Sequence, residues 1–134
     1  MGNASYLGYA SDTRMHYFTE HGFTPARFAP EKFGPVVVRD ELIYRRELRL
    51  MDEFAVDLEL VGISETGTRF RVRNMFQTAS GEDAASVTSD GLWFDLELRR
   101  PRIPPADIDT LMRALWLAKD YAEIPDKAQP SSRA

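Results

Sequence analysis

Apolar and polar residues alternate through the middle of this chain. Phe54, Val56, Leu58 and Leu60 alternate with Asp57 and Glu59, and Phe70, Val72 and Phe76 with Arg69, Arg71 and Arg73. Upstream, Val36, Val38, Leu42, Tyr44 and Leu48 share one parity, with Arg39, Glu41, Arg45 and Glu47 on the other. A period of two marks a strand with one buried face. Turn sequences at Ser64-Glu65-Thr66-Gly67 and Ser80-Gly81-Glu82 join these runs into an antiparallel meander over about 35–99, with one wet face. The last run, Ala84 to Leu98, is long enough to bend at Gly91. Folding the first hairpin about Glu65 sets Arg71 opposite Glu59 and Arg73 opposite Asp57. Such exposed cross-strand pairs contribute about 0.2–1 kcal/mol each.

The ends of the chain carry different patterns. An aromatic-rich run from Tyr6 to His21, closed by Gly22, predicts a helix over about 4–21, and Asn3 is a good cap for its first turn. Pro25, Pro30 and Gly34 mark 24–34 as a loop. Beyond the breaker run Pro101 to Pro105, the stripe Ile108, Leu111, Met112, Leu115 and Ala122 predicts a second helix over about 105–123. The composition of 125–134 predicts a disordered tail. One long helix with a bent antiparallel sheet is an α+β arrangement, here one domain over 1–124.

At 134 residues the chain fits one domain. It has no cysteine, which excludes disulfides, thiolate metal sites and a cysteine nucleophile and makes a reducing cytoplasm the default. A net charge of −4 argues against nucleic acid as a partner. Neither a membrane span nor a signal peptide is visible.

The start of the chain resembles the hotdog-fold acyl-CoA thioesterases of the 4-hydroxybenzoyl-CoA thioesterase-like family. Their pattern is roughly Asp-x-x-Gly-His-Met-Asn-Asn-Ala-x-Tyr-Leu, followed by a helix carrying an Arg. Met1, Asn3, Ala4, Tyr6, Leu7 and Arg14 fall on matching positions, while Gly2 replaces the first Asn of the pair. The resemblance covers residues 1 to about 105. It implies a hotdog fold, a central helix wrapped by a curved antiparallel sheet, with the C-terminal helix as an addition. It also implies a homodimer or homotetramer in which sheets join edge to edge and active sites lie between subunits.

Thioester hydrolysis needs a polarised carbonyl oxygen and an activated water or carboxylate. Unpaired N–H groups at a helix start meet the first need through hydrogen bonding and the helix dipole. The resemblance assigns that role to the backbone N–H of Asn3 or Ala4; plain N-capping by Asn3 is the simpler alternative. The family's catalytic Asp would precede Met1. Either Met1 is an internal codon of a longer frame, or the site has lost its carboxylate; a chain starting here would lack the first strand and leave a sheet edge unpaired. With its Asp, an extended chain would be expected to hydrolyse acyl-CoA faster than the 134-residue form. Within the chain, Asp12 is the candidate substitute, with Asp40 and Glu41 behind it. Asp12 and His16 form an i, i+4 pair that could orient an imidazole, although His16 and His21 fit a helix surface better.

For the substrate, Gly2, Tyr6, Tyr9 and Glu41 are the candidate binding residues. Tyr6, Tyr9, Tyr17 and Phe18 fit either an acyl pocket or the core. Arg69, Arg71 and Arg73 could meet coenzyme A phosphates, yet cross-strand pairing accounts for them as well. No Gly-x-Ser-x-Gly elbow supports serine chemistry, and the two histidines lack metal-ligand spacing. The expected function is hydrolysis of a fatty or aromatic acyl-CoA, with no metal and no cofactor. The alternative is a non-catalytic acyl-binding or structural subunit lacking the carboxylate.

Overall fold

A computed structural model describes residues 2–23, 25–49 and 51–127. Met1, Thr24, and 128–134 of the expected tail lie outside the described residues. The long helix α1 spans Asn3–Glu20, close to the range its pattern predicts. Its N-cap is Gly2 rather than Asn3, and Gly2 makes no side-chain cap bond. Gly22 follows the helix with φ 86°, the left-handed conformation glycine adopts without strain.

The expected loop after it holds a second helix, α2, over Pro25–Glu31. Proline is tolerated at a helix start because the missing N–H has no partner there. What holds so short a helix is Phe28, whose ring packs edge-on against Phe33 with centroids 5.4 Å apart.

Six strands cross the meander region: β1 (Phe33–Tyr44), β2 (Phe54–Val56), β3 (Glu59–Ile63), β4 (Arg69–Thr78), β5 (Asp83–Asp95) and β6 (Arg100–Pro101). The seventh, β7 (Trp116–Leu117), completes one sheet of order β1-β5-β4-β3-β7, with β2 beside β4 and β6 beside β5. Both expected turns are present, with φ of 81° at Gly67 and 86° at Gly81. Alternation is cleanest in β4, where Phe70, Val72, Asn74 and Phe76 are buried and their neighbours half-buried.

The strict parity of β1 fails. A register shift between Val37 and Arg39 places Val37 against α1 while Val38 sits 60% exposed on the outer face. One extra residue in a strand turns all that follows to the other side. The first hairpin closes with Ile63 opposite Phe70 rather than about Glu65, which sets Arg71 opposite Gly62, and a shift between Leu60 and Gly62 then brings Glu59 opposite Arg73.

The C-terminal segment departs furthest from its pattern. The helix α3 covers only Ala106–Arg113, so Ala122 is not part of a helical stripe. The chain then runs along the edge of β3, with β7 parallel to it. Ala118 N–H donates to Leu60 O at 2.9 Å, Ala122 N–H to Val61 O at 3.1 Å and Ile124 N–H to Ile63 O at 3.2 Å. Unpaired strand donors and acceptors at that edge outweigh the helical preference of 114–123. Residues 125–127 are held too, since the Asp126 carboxylate accepts from the Thr66 hydroxyl and Arg69 Nε donates to Asp126 O at 2.8 Å.

Two apolar clusters pack between α1 and the sheet. One centres on Trp93 with Phe18, Phe28, Phe33 and Phe70, joined by Ile108, Leu111 and Met112 of α3. The other holds Tyr6, Ala10, Phe76 and Val87 near the start of α1.

This C-terminal segment forms a strap along β3 that lies close against Gly62. A Cβ there would stand 2.8 Å from Ala122 O and 2.9 Å from Ile124 Cγ2. Gly62→Ala is therefore expected to cost about 1–3 kcal/mol, the usual range for overpacking. It should also make 118–127 the first site of limited proteolysis; an unchanged melting curve and cleavage pattern would contradict this packing.

Candidate active site

The start of α1 leaves backbone donors free. Ser5 and Tyr6 N–H groups both donate to Gly2 O, at 3.0 and 3.3 Å, which leaves those of Asn3 and Ala4 with no acceptor within the helix. They point outward at the positive end of the helix dipole. Gly2 and Ala4 are exposed beside them.

Tyr6 is a core residue at 1% exposure, edge-on to Tyr44 and Phe76 with centroids 5.3 and 5.1 Å away. Burial raises the pKa of its hydroxyl, although a hydrogen bond with the Leu48 backbone acts the other way. Tyr9 is partly exposed and packs on Phe54. Tyr6 lines an open cavity of about 300 Å³ together with Tyr44, Arg45, Arg46, Glu47 and Leu48. Asp12 is exposed on α1, nine positions past Asn3, or about 13 Å along the axis. His16 pairs with Glu20 at 2.7 Å instead of turning back to Asp12. His21 Nδ1 lies 2.7 Å from Tyr17 O. Glu41 is on the outer face of β1 beside Arg39, at 3.4 Å.

Arg14 points inward. Its Nε donates to Asn74 Oδ1 at 2.8 Å, and Asn74 Nδ2 donates to Asp57 O at 3.0 Å. Burial lowers the pKa of the guanidinium, while the charge of nearby Asp40 partly restores it. Its Nη2 is buried with no hydrogen-bond partner among the described residues. Asp40 itself accepts from the Ser89 hydroxyl.

Beyond Arg14 a cavity of about 220 Å³ opens between α1 and the sheet. Met15 and Phe18 of α1, Val37 of β1, Phe70 and Val72 of β4 and Leu115 form its apolar walls. Sequence patterning places Phe18 and Val72 on buried faces but gives no sign of a void between them. The signal that was available is the i, i+4, i+7 spacing of Ser11, Met15 and Phe18 on one helix face.

The arginine row lies on the opposite face of the sheet. Arg71 Nε meets Asp90 Oδ1 at 2.5 Å, and Arg73 reaches both Glu59 at 3.3 Å and Asp120 at 2.9 Å. Hydrogen bonding from Arg73 is the main cause that lowers the Asp120 pKa. Among the described residues no cluster of His, Asp or Glu could hold a metal ion, and no helix is long and apolar enough to cross a membrane.

A long helix packed on a large curved antiparallel sheet is the hotdog arrangement. The chain belongs to the thioesterase-like superfamily, whose family model matches residues 1–121. Its fold is similar to that of a Staphylococcus aureus hypothetical protein solved in complex with CoA, at TM-score 0.78 and 19% identity, covering 92% of this chain and 76% of that one. A 1,4-dihydroxy-2-naphthoyl-CoA thioesterase from Synechocystis superposes at TM-score 0.75 and 14% identity, covering 86% of this chain and 84% of that one. A Thermus thermophilus thioesterase complexed with coenzyme A and Zn is 28% identical at TM-score 0.66, covering 85% of this chain and 79% of that one. No curated protein matches the sequence.

If Arg71 and Arg73 serve only their carboxylate partners, replacing both with Gln should cost no more than about 1–2 kcal/mol, since all three pairs are partly solvated. The KM for an acyl-CoA should stay within twofold. A large rise in KM with unchanged melting would assign the pair to coenzyme A instead.

Proposed function

We propose that this chain is an acyl-CoA thioesterase of the cytoplasm, hydrolysing the thioester of a fatty or aromatic acyl-CoA. The observation that carries the reading is the bare first turn of α1 in a thioesterase-like fold. The N–H of Asn3 or Ala4 holds the thioester oxygen as negative charge builds on it, and Gly2 leaves room for the substrate to approach. A donor aimed at developing charge typically contributes 10²–10³ in rate.

A second reading, an acyl-binding subunit without hydrolysis, is favoured by the placement of the carboxylates. Asp12 lies more than two turns from the helix start, and Glu41 faces the outer surface with Arg39. A panel of acyl-CoA esters with thiol-release detection separates the two. Turnover supports the enzyme, and binding without turnover supports the subunit.

Asn3→Pro tests the oxyanion role without breaking the helix. Proline is well suited to the first helical position, and Gly2, at φ −83° and ψ 164°, already has the extended backbone that a following proline requires. The variant should keep its helical circular dichroism and lose about 10²–10³ in kcat. An unchanged kcat would remove the Asn3 amide from the mechanism.

The same reading includes a homodimer or homotetramer joined through β1. That strand forms one end of the sheet, and Val38, Ile43 and Tyr44 along it are exposed. A long apolar edge of this kind is normally covered by another chain. Sedimentation at micromolar concentration should give a species larger than 15.3 kDa. A purely monomeric profile would contradict it.

A further inference from the structure

The cavity behind Arg14 has a wall chemistry and a position that constrain the acyl group. We propose that it is the acyl-chain subsite of the thioester site at the start of α1, and that it selects an extended alkyl chain over an acyl group whose ring is bonded to the thioester carbonyl. This inference rests on the thioesterase reading above.

Distance decides between the two classes. Ser11 is the first residue of α1 to line the cavity, and it stands eight positions past Asn3. At 1.5 Å per residue that is about 12 Å, a little over two helical turns. An aryl ring joined directly to the reacting carbon stays beside the helix start and leaves the cavity empty. An alkyl chain of roughly ten carbons covers such a span, and the remaining methylenes can enter the void. The void, of about 220 Å³, has room for several methylenes.

A path between the two points exists on the helix surface. Ala4, Gly8, Ser11 and Met15 follow one another at i, i+4, i+7 and i+11, so they share one face. Ala4, Gly8 and Ser11 are small, and the space beside Gly8 is open, with nothing within 4 Å of where a Cβ would stand. The path ends at Met15 and Val37, 36% and 46% exposed, which flank the cavity as apolar side chains facing solvent. Exposed apolar groups at the mouth of an apolar void suit a chain of methylenes, which gains by leaving water where it enters the void.

Hexadecanoyl-CoA and benzoyl-CoA are the two probes, followed by thiol release and by the shift in melting temperature relative to CoA alone. The wild-type chain should give kcat/KM at least tenfold higher for hexadecanoyl-CoA. Met15→Trp and, from the opposite wall, Val37→Trp should each reduce the hexadecanoyl-to-benzoyl ratio tenfold or more; both positions are partly exposed, and melting without ligand reports whether each variant folds. Equal use of the two esters, or a ratio unmoved in two folded variants, overturns the alkyl subsite while hydrolysis stands. Hexadecanoyl-CoA raising the melting temperature without turnover, with the rise lost in either variant, upholds the subsite and overturns hydrolysis. Neither turnover nor a shift overturns both.

Discussion

The place of α1 on the sheet depends on a buried polar chain from Arg14 through Asn74 to the carbonyl of Asp57. Asn74 is fully buried in β4, the strand that pairs with β2, β3 and β5. A buried amide without partners costs about 1–3 kcal/mol, so its two bonds tolerate little sliding. Apolar packing around Trp93 and Phe76 holds the helix down, but such contacts are non-directional and would accept several registers. The polar link selects one. Through it the free amides of Asn3 and Ala4 and the cavity beside Met15 and Phe18 keep a fixed separation.

The two faces of the sheet divide the work. Inward, aromatic rings and short aliphatic residues bind α1 and α3 and leave the void beside Met15 and Phe18. Outward, Arg39, Arg71 and Arg73 interleave with Glu41, Asp90, Glu59 and Asp120 into a solvated lattice. A row of arginines on the sheet suggests phosphate binding when seen alone, but each of these has a carboxylate within 4.0 Å.

Features encoded by local repetition were legible in the sequence. The range of α1, the glycines at positive φ in both turns and the alternation of β4 follow from neighbours close in the chain. The amide donors at Asn3 and Ala4 were legible only because a helix start always exposes them, aided by a family resemblance. What escaped was set by distant partners. The one-residue shift at Val37/Arg39 inverts the faces of β1, and the hairpin closing at Ile63 and Phe70, with the shift at Leu60/Gly62, reassigns Arg71 and Arg73; neither leaves a mark in composition. The α2 helix exists because Phe28 finds Phe33, and 114–124 becomes a strap because β3 offers a bare edge. The cavity is a property of how α1 and β4 meet, which neither run contains by itself.

That strap also gives the fold an order in time. Ala118 follows its partner Leu60 by 58 positions, 118 less 60. At about 5–20 residues per second, translation leaves the β3 edge uncovered for roughly 3–12 s after that strand is made. During that interval the nascent chain carries an open pairing surface, and Gly62 gives it no side chain to ward off another strand. The residues that close the sheet thus belong to its biosynthesis as much as to its final stability.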